Sequence, residues 1–520
     1  MKNLPLGINT LKVLQDSNCI YVDKTGFALG LIQQPARYFL SRPRRFGKSL
    51  FVDTLKEIFE GNQSLFKGLI IYDRWNWSQT FPVIKIDFAG GFLESRQALD
   101  EKIREILSTN LQRLGVTSDK TSISGIFSDL ISHAAAKQGQ RSVVLIDEYD
   151  KPILDNLEKP SIAAEMREGL KNLYSVLKEQ DGNLQFVFLT GVSKFSKVSL
   201  FSGLNHLTDL TIDSPYSSLC GYTEQNLRDS FGEHLVGVDW SELKRWYNGY
   251  SWGGEERVYN PFDILQFIAK GQDYRNYWFE SGSPSFLIKL FQRECYFLPN
   301  LEAIETSEEI LDSFDIESIN PIALLFQTGY LTIEKRFRAI NQQLFKLRVP
   351  NLEVKTALQS QLISGYTALV NEKLILQRHL YHCLWTGDVD NLVSILKRLF
   401  AAIPWRNFTH NNLAQFEGYY ASVLYAFFAS LDAQIIPEDI TNQGQADLTV
   451  MLGQHIYVME LKVVKGETVT GNPALDQVQQ RQYAQKYQGE PGKVVYEVGL
   501  VFSQAQRGLL QADWSRVSTH

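Results

Sequence analysis

Residues 38–50 read Tyr38-Phe39-Leu40-Ser41-Arg42-Pro43-Arg44-Arg45-Phe46-Gly47-Lys48-Ser49-Leu50. An apolar strand-like run, Tyr38–Leu40, enters a basic loop, and an amphipathic helical pattern over Lys48–Phe59 leaves it. A Gly-Lys-Ser between strand and helix is an arrangement that binds phosphate, because backbone N–H groups and the helix N-terminus cradle the oxygens. Within it Gly47 and Lys48 lie against the phosphates, Lys48 reaching the β and γ groups, and the Ser49 hydroxyl ligates Mg²⁺. Arg44 and Arg45 are further phosphate contacts from the loop itself. The general pattern asks for a glycine where Arg42 stands, so a basic turn capped by Ser49 competes with this reading.

A second run decides between them. Val143-Val144-Leu145-Ile146-Asp147-Glu148 is a buried-strand pattern ending in two acids. Asp147 is placed to hold Mg²⁺ and Glu148 to act as general base on the attacking water. A third run, Phe186–Leu189, ends at Thr190, a candidate sensor of the γ-phosphate, with Ser193 as its alternative. Lys194 and Lys197 follow it, and Asp23-Lys24-Thr25 is a candidate contact for base or sugar. With Val83–Phe88 as a further strand and Leu99–Leu114 and Ile162–Leu177 as helices, the alternation predicts a mostly parallel sheet flanked by helices.

The C-terminal end carries a different chemistry. Asp447 begins one strand, and after a turn comes Ile456-Tyr457-Val458-Met459-Glu460-Leu461-Lys462. Alternation along a strand sends Glu460 and Lys462 to one face and Met459, Leu461 and Val463 to the other. Asp447 and Glu460 together make a hard-oxygen site for Mg²⁺, with Lys462 orienting a water or offsetting charge in the transition state. A helix bearing Glu417, in Phe416-Glu417-Gly418, precedes the hairpin. A helix over Pro473–Tyr487 carries Gln477 and Tyr483, and the strand Val494–Phe502 closes the unit.

Arg42–Leu50, Tyr21–Thr25, Leu145–Tyr149 and Leu189–Thr211, with Tyr247-Asn248-Gly249-Tyr250 and Tyr259-Asn260-Pro261, resemble the bacterial AAA-ATPase-like domain family. Arg42 matches the form of the loop in that family, which makes it an additional phosphate contact. Phe416–Phe502 is similar to the PD-(D/E)XK nuclease domain, although Ala446 stands where the classical pattern has proline. The resemblance implies ATP as nucleotide and a restriction-endonuclease-like C-terminal fold. It places Lys48, Ser49, Asp147 and Glu148 on nucleotide motifs. Glu417, Asp447, Glu460, Lys462 and Gln477 fall on nuclease motifs.

The expected fold is therefore α/β: a P-loop NTPase parallel sheet, a helical and winged-helix-like middle, and a restriction-endonuclease-like α/β domain. The expected boundaries are 1–220, 221–350, 351–410 and 411–520. ATP and Mg²⁺ are the expected cofactors, and nucleic acid the expected partner, DNA in preference to RNA, with homo-oligomerisation compatible. The net charge of −6 across 520 residues argues against a protein that coats nucleic acid non-specifically. Four scattered cysteines, Cys19, Cys220, Cys295 and Cys383, point to a reducing compartment without structural zinc. Neither a signal peptide nor a long apolar span is evident, so the cytoplasm is the default and no membrane partner is expected.

Three further clusters have bland and sharp readings. His379, His382 and Cys383 share a helical face that a metal could use. Trp246, Tyr247, Tyr250 and Trp252 are a base-stacking set or, more often, packing core. Lys335–Arg338 is a phosphate contact or a solvated hairpin edge. The functional alternative to an ATPase–nuclease is a nucleotide-switched module that binds nucleic acid or protein through a catalytically silent nuclease fold.

Overall fold

Five apolar runs become the strands β1 (Arg37–Ser41), β2 (Val83–Asp87), β3 (Ser142–Asp147), β4 (Leu184–Gly191) and β5 (Leu207–Asp209). All are parallel, in the order β2-β3-β4-β1-β5. Every residue of β3 is buried, which is why it reads as an unbroken apolar run rather than an alternation. Helices α1 (Lys48–Phe59), α2 (Arg96–Leu114), α3 (Ile123–Gln138) and α4 (Pro160–Glu179) lie between the strands in sequence. Ser95 and Ser122 cap α2 and α3 through their side chains, and Gly115 and Gly139 end them in the left-handed conformation. β4 runs between β1 and β3, so the ends of the loop strand and the acid strand flank Thr190–Gly191.

The computed structural model describes residues 1–520 except 35, 195–206, 279–284, 295, 303, 312–314, 316, 340, 368, 370–371, 404–416 and 518–520. The chain divides into two compact units, Met1–Ser281 with Glu305–Val354, and Gly282–Ile304 with Lys355–His520. Among the described residues no helix is long and apolar enough to cross a membrane.

The first unit adds helix α5 (Pro261–Ala269) and an antiparallel hairpin, β6 (Thr332–Ala339) with β7 (Gln342–Arg348), behind the short helices Glu308–Leu311 and Pro321–Thr328. Tyr247, Tyr250 and Trp252 are buried, so this aromatic set is packing core. Within Lys335–Arg338, Arg336 donates to the Ile212 carbonyl at 2.6 Å and lies over the Phe345 ring, a scaffolding role.

The second unit contains α6 (Lys373–Thr386), α7 (Val389–Ala401), α8 (Glu417–Ala429), β8 (Gln434–Thr441), β9 (Gly444–Leu452), β10 (His455–Val464), α9 (Pro473–Gln480), β11 (Val494–Ser503) and β12 (Gly508–Arg516). Its sheet runs β12-β11-β10-β9-β8, mixed because β10 and β11 are parallel while the other pairs are antiparallel. Two details differ from the sequence reading. The expected helix over Pro473–Tyr487 breaks at Gln482, whose φ of 50° no regular helix accommodates, and resumes as a 3-10 turn. An extra edge strand, β12, follows β11; it is half-buried along its length and so lacks the alternation that marks a one-faced strand. The metal face at His379, His382 and Cys383 is not formed. Cys383 is buried in the helix's inner face while both histidines are exposed, and among the described residues no three metal-ligating groups come together.

Candidate functional site

The loop after β1 takes its shape from two left-handed residues, Arg45 (φ 70°) and Gly47 (φ 92°), which turn the chain into the N-terminus of α1. Its hinge is aromatic. Phe46 is buried with its ring edge-on to Tyr250 and Trp252, at centroid distances of 4.8 and 5.2 Å. Sequence reasoning assigned those two rings to packing and did not see that what they pack is the loop.

Lys48 is buried and donates to the carbonyls of Arg42 and Pro43, both at 3.0 Å, closing the loop on itself. Burial lowers its pKa, opposed by Asp147 and Glu148. Asp147 is fully buried at the end of β3, and its Oδ1 accepts the Glu148 N–H at 3.0 Å. Its Oδ2 has no hydrogen-bond partner. Burial raises its pKa, and the nearby Ser49 hydroxyl opposes the rise. Ser49, Lys48 and Asp147 are thus brought together. A buried carboxylate oxygen without a donor, beside a hydroxyl, suits a hard cation such as Mg²⁺. Glu148 has a left-handed backbone (φ 50°), and burial raises its pKa.

A cavity of about 380 Å³ opens at the loop, the size of a small-ligand site. Arg45, Gly47, Lys48, Ser49 and Glu148 line its polar end, and Ile8, Val22, Phe51 and Phe262 are among its apolar walls. Of the expected Asp23-Lys24-Thr25 contact, Lys24 lines the cavity, whereas Asp23 accepts from the Thr25 N–H and hydroxyl and the Ile70 N–H, and Thr25 is fully buried. The Arg45 guanidinium lies 3.7 Å over the Phe262 ring, and Arg44 reaches toward Asp155 at 3.9 Å.

Two expected ligands are turned elsewhere. Arg42 is fully buried, donates to the carbonyls of Ser41 (2.8 Å), Thr211 (2.7 Å) and Tyr216 (3.2 Å), and stacks 4.1 Å from the Trp252 ring. Thr190 is fully buried and its hydroxyl donates to the Leu40 carbonyl at 2.9 Å, pinning β4 to β1. The alternative sensor Ser193 donates to Asp150 at 2.6 Å, and Lys194 pairs with Asp209. Lys197 lies outside the described residues. Asp150 was missed by sequence reasoning. Buried, it accepts from the Val192 and Ser193 N–H groups as well as the Ser193 hydroxyl, so it ties the acid loop to the end of β4. Burial raises its pKa.

The second site lies on the β9–β10 hairpin. The last ladder pair is Leu448 with Met459, and one step beyond it Asp447 accepts the Leu461 N–H at 2.7 Å. Met459 and Leu461 are fully buried, as alternation requires, and Glu460 occupies the other face. Lys462 donates to Glu460 Oε1 at 3.0 Å and lies 3.7 Å from Glu417, at the start of α8; Phe416 lies outside the described residues. Gln477 of α9 donates to the same Glu460 oxygen. The break after Gln480 brings the Tyr483 hydroxyl to 3.4 Å from the Gln477 amide. All five expected residues therefore converge.

Electrostatics sharpen the site. Glu460 is 1% exposed, and burial, then the Asp447 charge, push its pKa up to about 7. Burial also raises Asp447 and Glu417. Burial lowers Lys462, but its contact with Glu460 outweighs that and the net shift is upward. Glu460 Oε2 is buried and has no hydrogen-bond partner, the counterpart of Asp147 Oδ2 in the first unit. Two carboxylates with an oxygen left over fit Mg²⁺, which keeps several waters and takes few protein ligands.

Residues 5–201 match the model of a family described as predicted AAA-ATPase, and residues 415–511 match a PD-(D/E)XK nuclease superfamily model. A protein of Azotobacter chroococcum mcd 1, described as "Uncharacterized protein in vnfD 5'region", is 46% identical over 510 residues, covering 98% of each chain. Full-length identity at that level, together with both domain matches in the order the two sites occur, makes this chain a member of the AAA-ATPase-like family that carries a C-terminal PD-(D/E)XK nuclease-superfamily domain.

Proposed function

We propose that this protein hydrolyses ATP in its first unit and cleaves nucleic-acid phosphodiesters in its second, DNA in preference to RNA, with Mg²⁺ at both sites. The observation that supports this most directly is that each cluster holds a buried carboxylate oxygen without a hydrogen-bond donor, Asp147 Oδ2 in one and Glu460 Oε2 in the other, beside a lysine on the residue types that hold Mg²⁺. The chemistry a bound Mg²⁺ supplies is neutralisation of phosphate charge and a more acidic ligated water.

In the first unit Lys48 exchanges its two carbonyl partners for phosphate oxygens, and Arg44 and Arg45 add charge from the loop. Ser49 and Asp147 hold the cation, and Glu148 takes the proton of the attacking water; a carboxyl raised by burial is the better base near neutral pH. Arg42 and Thr190 hold the loop and the sheet in register rather than touch nucleotide. In the second unit Asp447 and Glu460 hold the cation and Lys462 offsets charge on the scissile phosphate. Gln477 fixes the Glu460 rotamer and Glu417 positions Lys462. The functional division is 1–220 for nucleotide, 221–350 as a helical lid and winged-helix-like region, 351–410 as a helical connector, and 411–520 for cleavage. The free Cys19, Cys220 and Cys383 suit a reducing cytoplasm.

The alternative, a nucleotide-switched binding module with a silent nuclease fold, draws on one observation. Among the described residues no third acid joins Asp447 and Glu460 at metal-ligating spacing. The two readings separate when DNA and RNA are incubated with Mg²⁺ and wild type, Asp447→Ala or Glu460→Ala. Cleavage by wild type that both variants lose supports the nuclease; no cleavage by any of the three supports the binding module. ATP hydrolysis is expected to vanish in Lys48→Ala and Glu148→Gln. Cleavage that is equal in wild type and Lys48→Ala, with or without ATP, would remove any coupling between the sites.

A further inference from the structure

The β8–β9 hairpin carries Pro437-Glu438-Asp439 on one strand and Ala446-Asp447-Leu448 on the other. Ala446 pairs with Asp439 and Leu448 with Pro437, so Glu438 stands directly across from Asp447, and the ladder skips that one rung. The skip falls at a left-handed residue: Glu438 has φ 44°. Its effect shows one residue on. Asp439 is buried and accepts the Thr449 hydroxyl at 2.6 Å, although Thr449 pairs with Ile436, three residues from Asp439 and so on the opposite face by alternation. The turn at Glu438 switches the faces.

The fold therefore explains the turn but not the glutamate. Glycine takes a positive φ freely, whereas a longer side chain costs strain there. Like charges directly across a strand pair are unfavourable as well. The only other glutamate with positive φ among the described residues is Glu148, next to Asp147 in the nucleotide site.

The local lysines do not offset this charge. Lys486 is taken by Asp439 and the Ile440 carbonyl, and Lys462 by Glu460 and Glu417. Glu438 is exposed, and no lysine or arginine pairs with it among the described residues. Its charge is felt at Asp447, where it opposes ionisation. Glu417, Glu438, Asp447 and Glu460 thus gather four carboxyls around Lys462. Glu460 is 1% exposed and its Oε2 has no hydrogen-bond partner, while Asp447 commits Oδ2 to the Leu461 N–H. A buried oxygen without a donor, amid an excess of negative charge, points to a cation rather than to a solvated strand face. Among the described residues three acids do not meet at direct ligating spacing. Mg²⁺ suits that arrangement, since it takes one or two carboxylates directly and keeps several waters.

We infer that Glu438 is the outer acid of the second unit's cation site, holding one of the waters of a Mg²⁺ that Asp447 and Glu460 bind directly. The inference rests on the Mg²⁺ reading of that unit and adds to it a residue outside those assigned to cleavage.

The test is Mn²⁺ binding, followed by electron paramagnetic resonance on the full-length protein without nucleotide and with Asp147→Asn, so that the second unit's cation is read alone. Against that background Asp447→Ala is expected to abolish binding and Glu438→Gln to weaken it by roughly tenfold or more. Glu438→Gly should weaken Mn²⁺ to the same extent while raising the metal-free melting transition of the second unit by roughly 2–4 °C, because strain and repulsion are both relieved. A glutamate kept for the fold gives the reverse, a lower transition with Mn²⁺ affinity unchanged, and that result overturns the inference. So does Mn²⁺ affinity that is equal with and without Glu438→Gln but lost in Asp447→Ala, which leaves the Mg²⁺ reading standing. No Mn²⁺ on any of these proteins removes both. Mn²⁺ binding that depends on Glu438, when the protein with Asp147 restored cleaves neither DNA nor RNA in Mg²⁺, keeps the inference and removes the nuclease.

Discussion

Replacing Arg42 with lysine separates a phosphate ligand from a scaffold. The guanidinium is fully buried and serves three carbonyls, those of Ser41, Thr211 and Tyr216, while its face covers Trp252 at 4.1 Å. Lysine retains the charge but not the planar fork, so it can satisfy one or two of these acceptors and cannot stack in the same way. Losing one charge-assisted hydrogen bond costs about 1.5–3 kcal/mol, and losing a desolvated ring contact about 1–2 kcal/mol. A net destabilisation of roughly 3–4 kcal/mol is the reasonable sum, since relaxation around the shorter side chain offsets part of it. For a unit this large, at about 2 °C per kcal/mol, the melting transition of the first unit should fall by roughly 6–8 °C. Below that transition, isothermal titration with a non-hydrolysable ATP analogue and Mg²⁺ should give an affinity within about threefold of wild type, because the loop cavity is not lined by this side chain. A tenfold loss of nucleotide affinity with an unmoved melting transition would overturn the scaffold role of Arg42. It would mean that Arg42 leaves its carbonyls for phosphate.

Two other perturbations test the same scaffold. Asp150→Asn leaves one side-chain oxygen where the carboxylate accepted from two backbone N–H groups and a hydroxyl, so it should destabilise the first unit by about 2–3 kcal/mol. An unchanged melting temperature would show that the loop is held otherwise. Asp263 and Glu353 are fully buried carboxyl neighbours; Glu353 accepts the Tyr277 and Trp278 N–H groups, while Asp263 has no hydrogen-bond partner besides Glu353. Burial, then Glu353, raise Asp263 well above the carboxylate range, and burial raises Glu353 to about 7. A raised folded-state pKa gives stability that is complete below the unfolded value, about 4.5, and lost as pH rises through about 7. The first unit should therefore melt at progressively lower temperature from pH 5 to pH 8. Asp263→Asn, which removes one of the two like charges, should flatten that slope, and a slope unchanged in the variant would disprove the pairing.

What the sequence made legible follows from how far each signal reaches along the chain. β1, β3 and β4 are inner strands of a parallel sheet, so burial on both faces writes them as apolar runs. The Gly47-Lys48-Ser49 turn and the Glu460-Leu461-Lys462 alternation are local patterns, and the structure brings the residues they pointed to into two clusters. The partners of Arg42 were invisible because they lie 169 and 174 residues away, at Thr211 and Tyr216. Asp150 is two residues past the acids that were recognised, but its role depends on β4 ending beside it, a fact of sheet order rather than spacing. Strand β12 was hidden for a different reason: an edge strand that is half-buried throughout carries no period-two pattern.

The same distinction explains why Arg42 can stand where other phosphate loops have glycine. A glycine there would serve a backbone conformation that side chains resist, yet here the left-handed residues are Arg45 and Gly47, later in the loop. With the turn relocated, position 42 keeps an ordinary side chain, and that side chain becomes the loop's anchor to the segment after β5 through Thr211 and Tyr216. Phe46 adds a second anchor through Tyr250 and Trp252. The loop is thereby fastened at both ends to residues far along the chain. Its shape depends on the fold of the whole first unit, so perturbing Trp252 or Thr211, like Arg42→Lys, should lower the melting transition of that unit while leaving nucleotide affinity close to wild type.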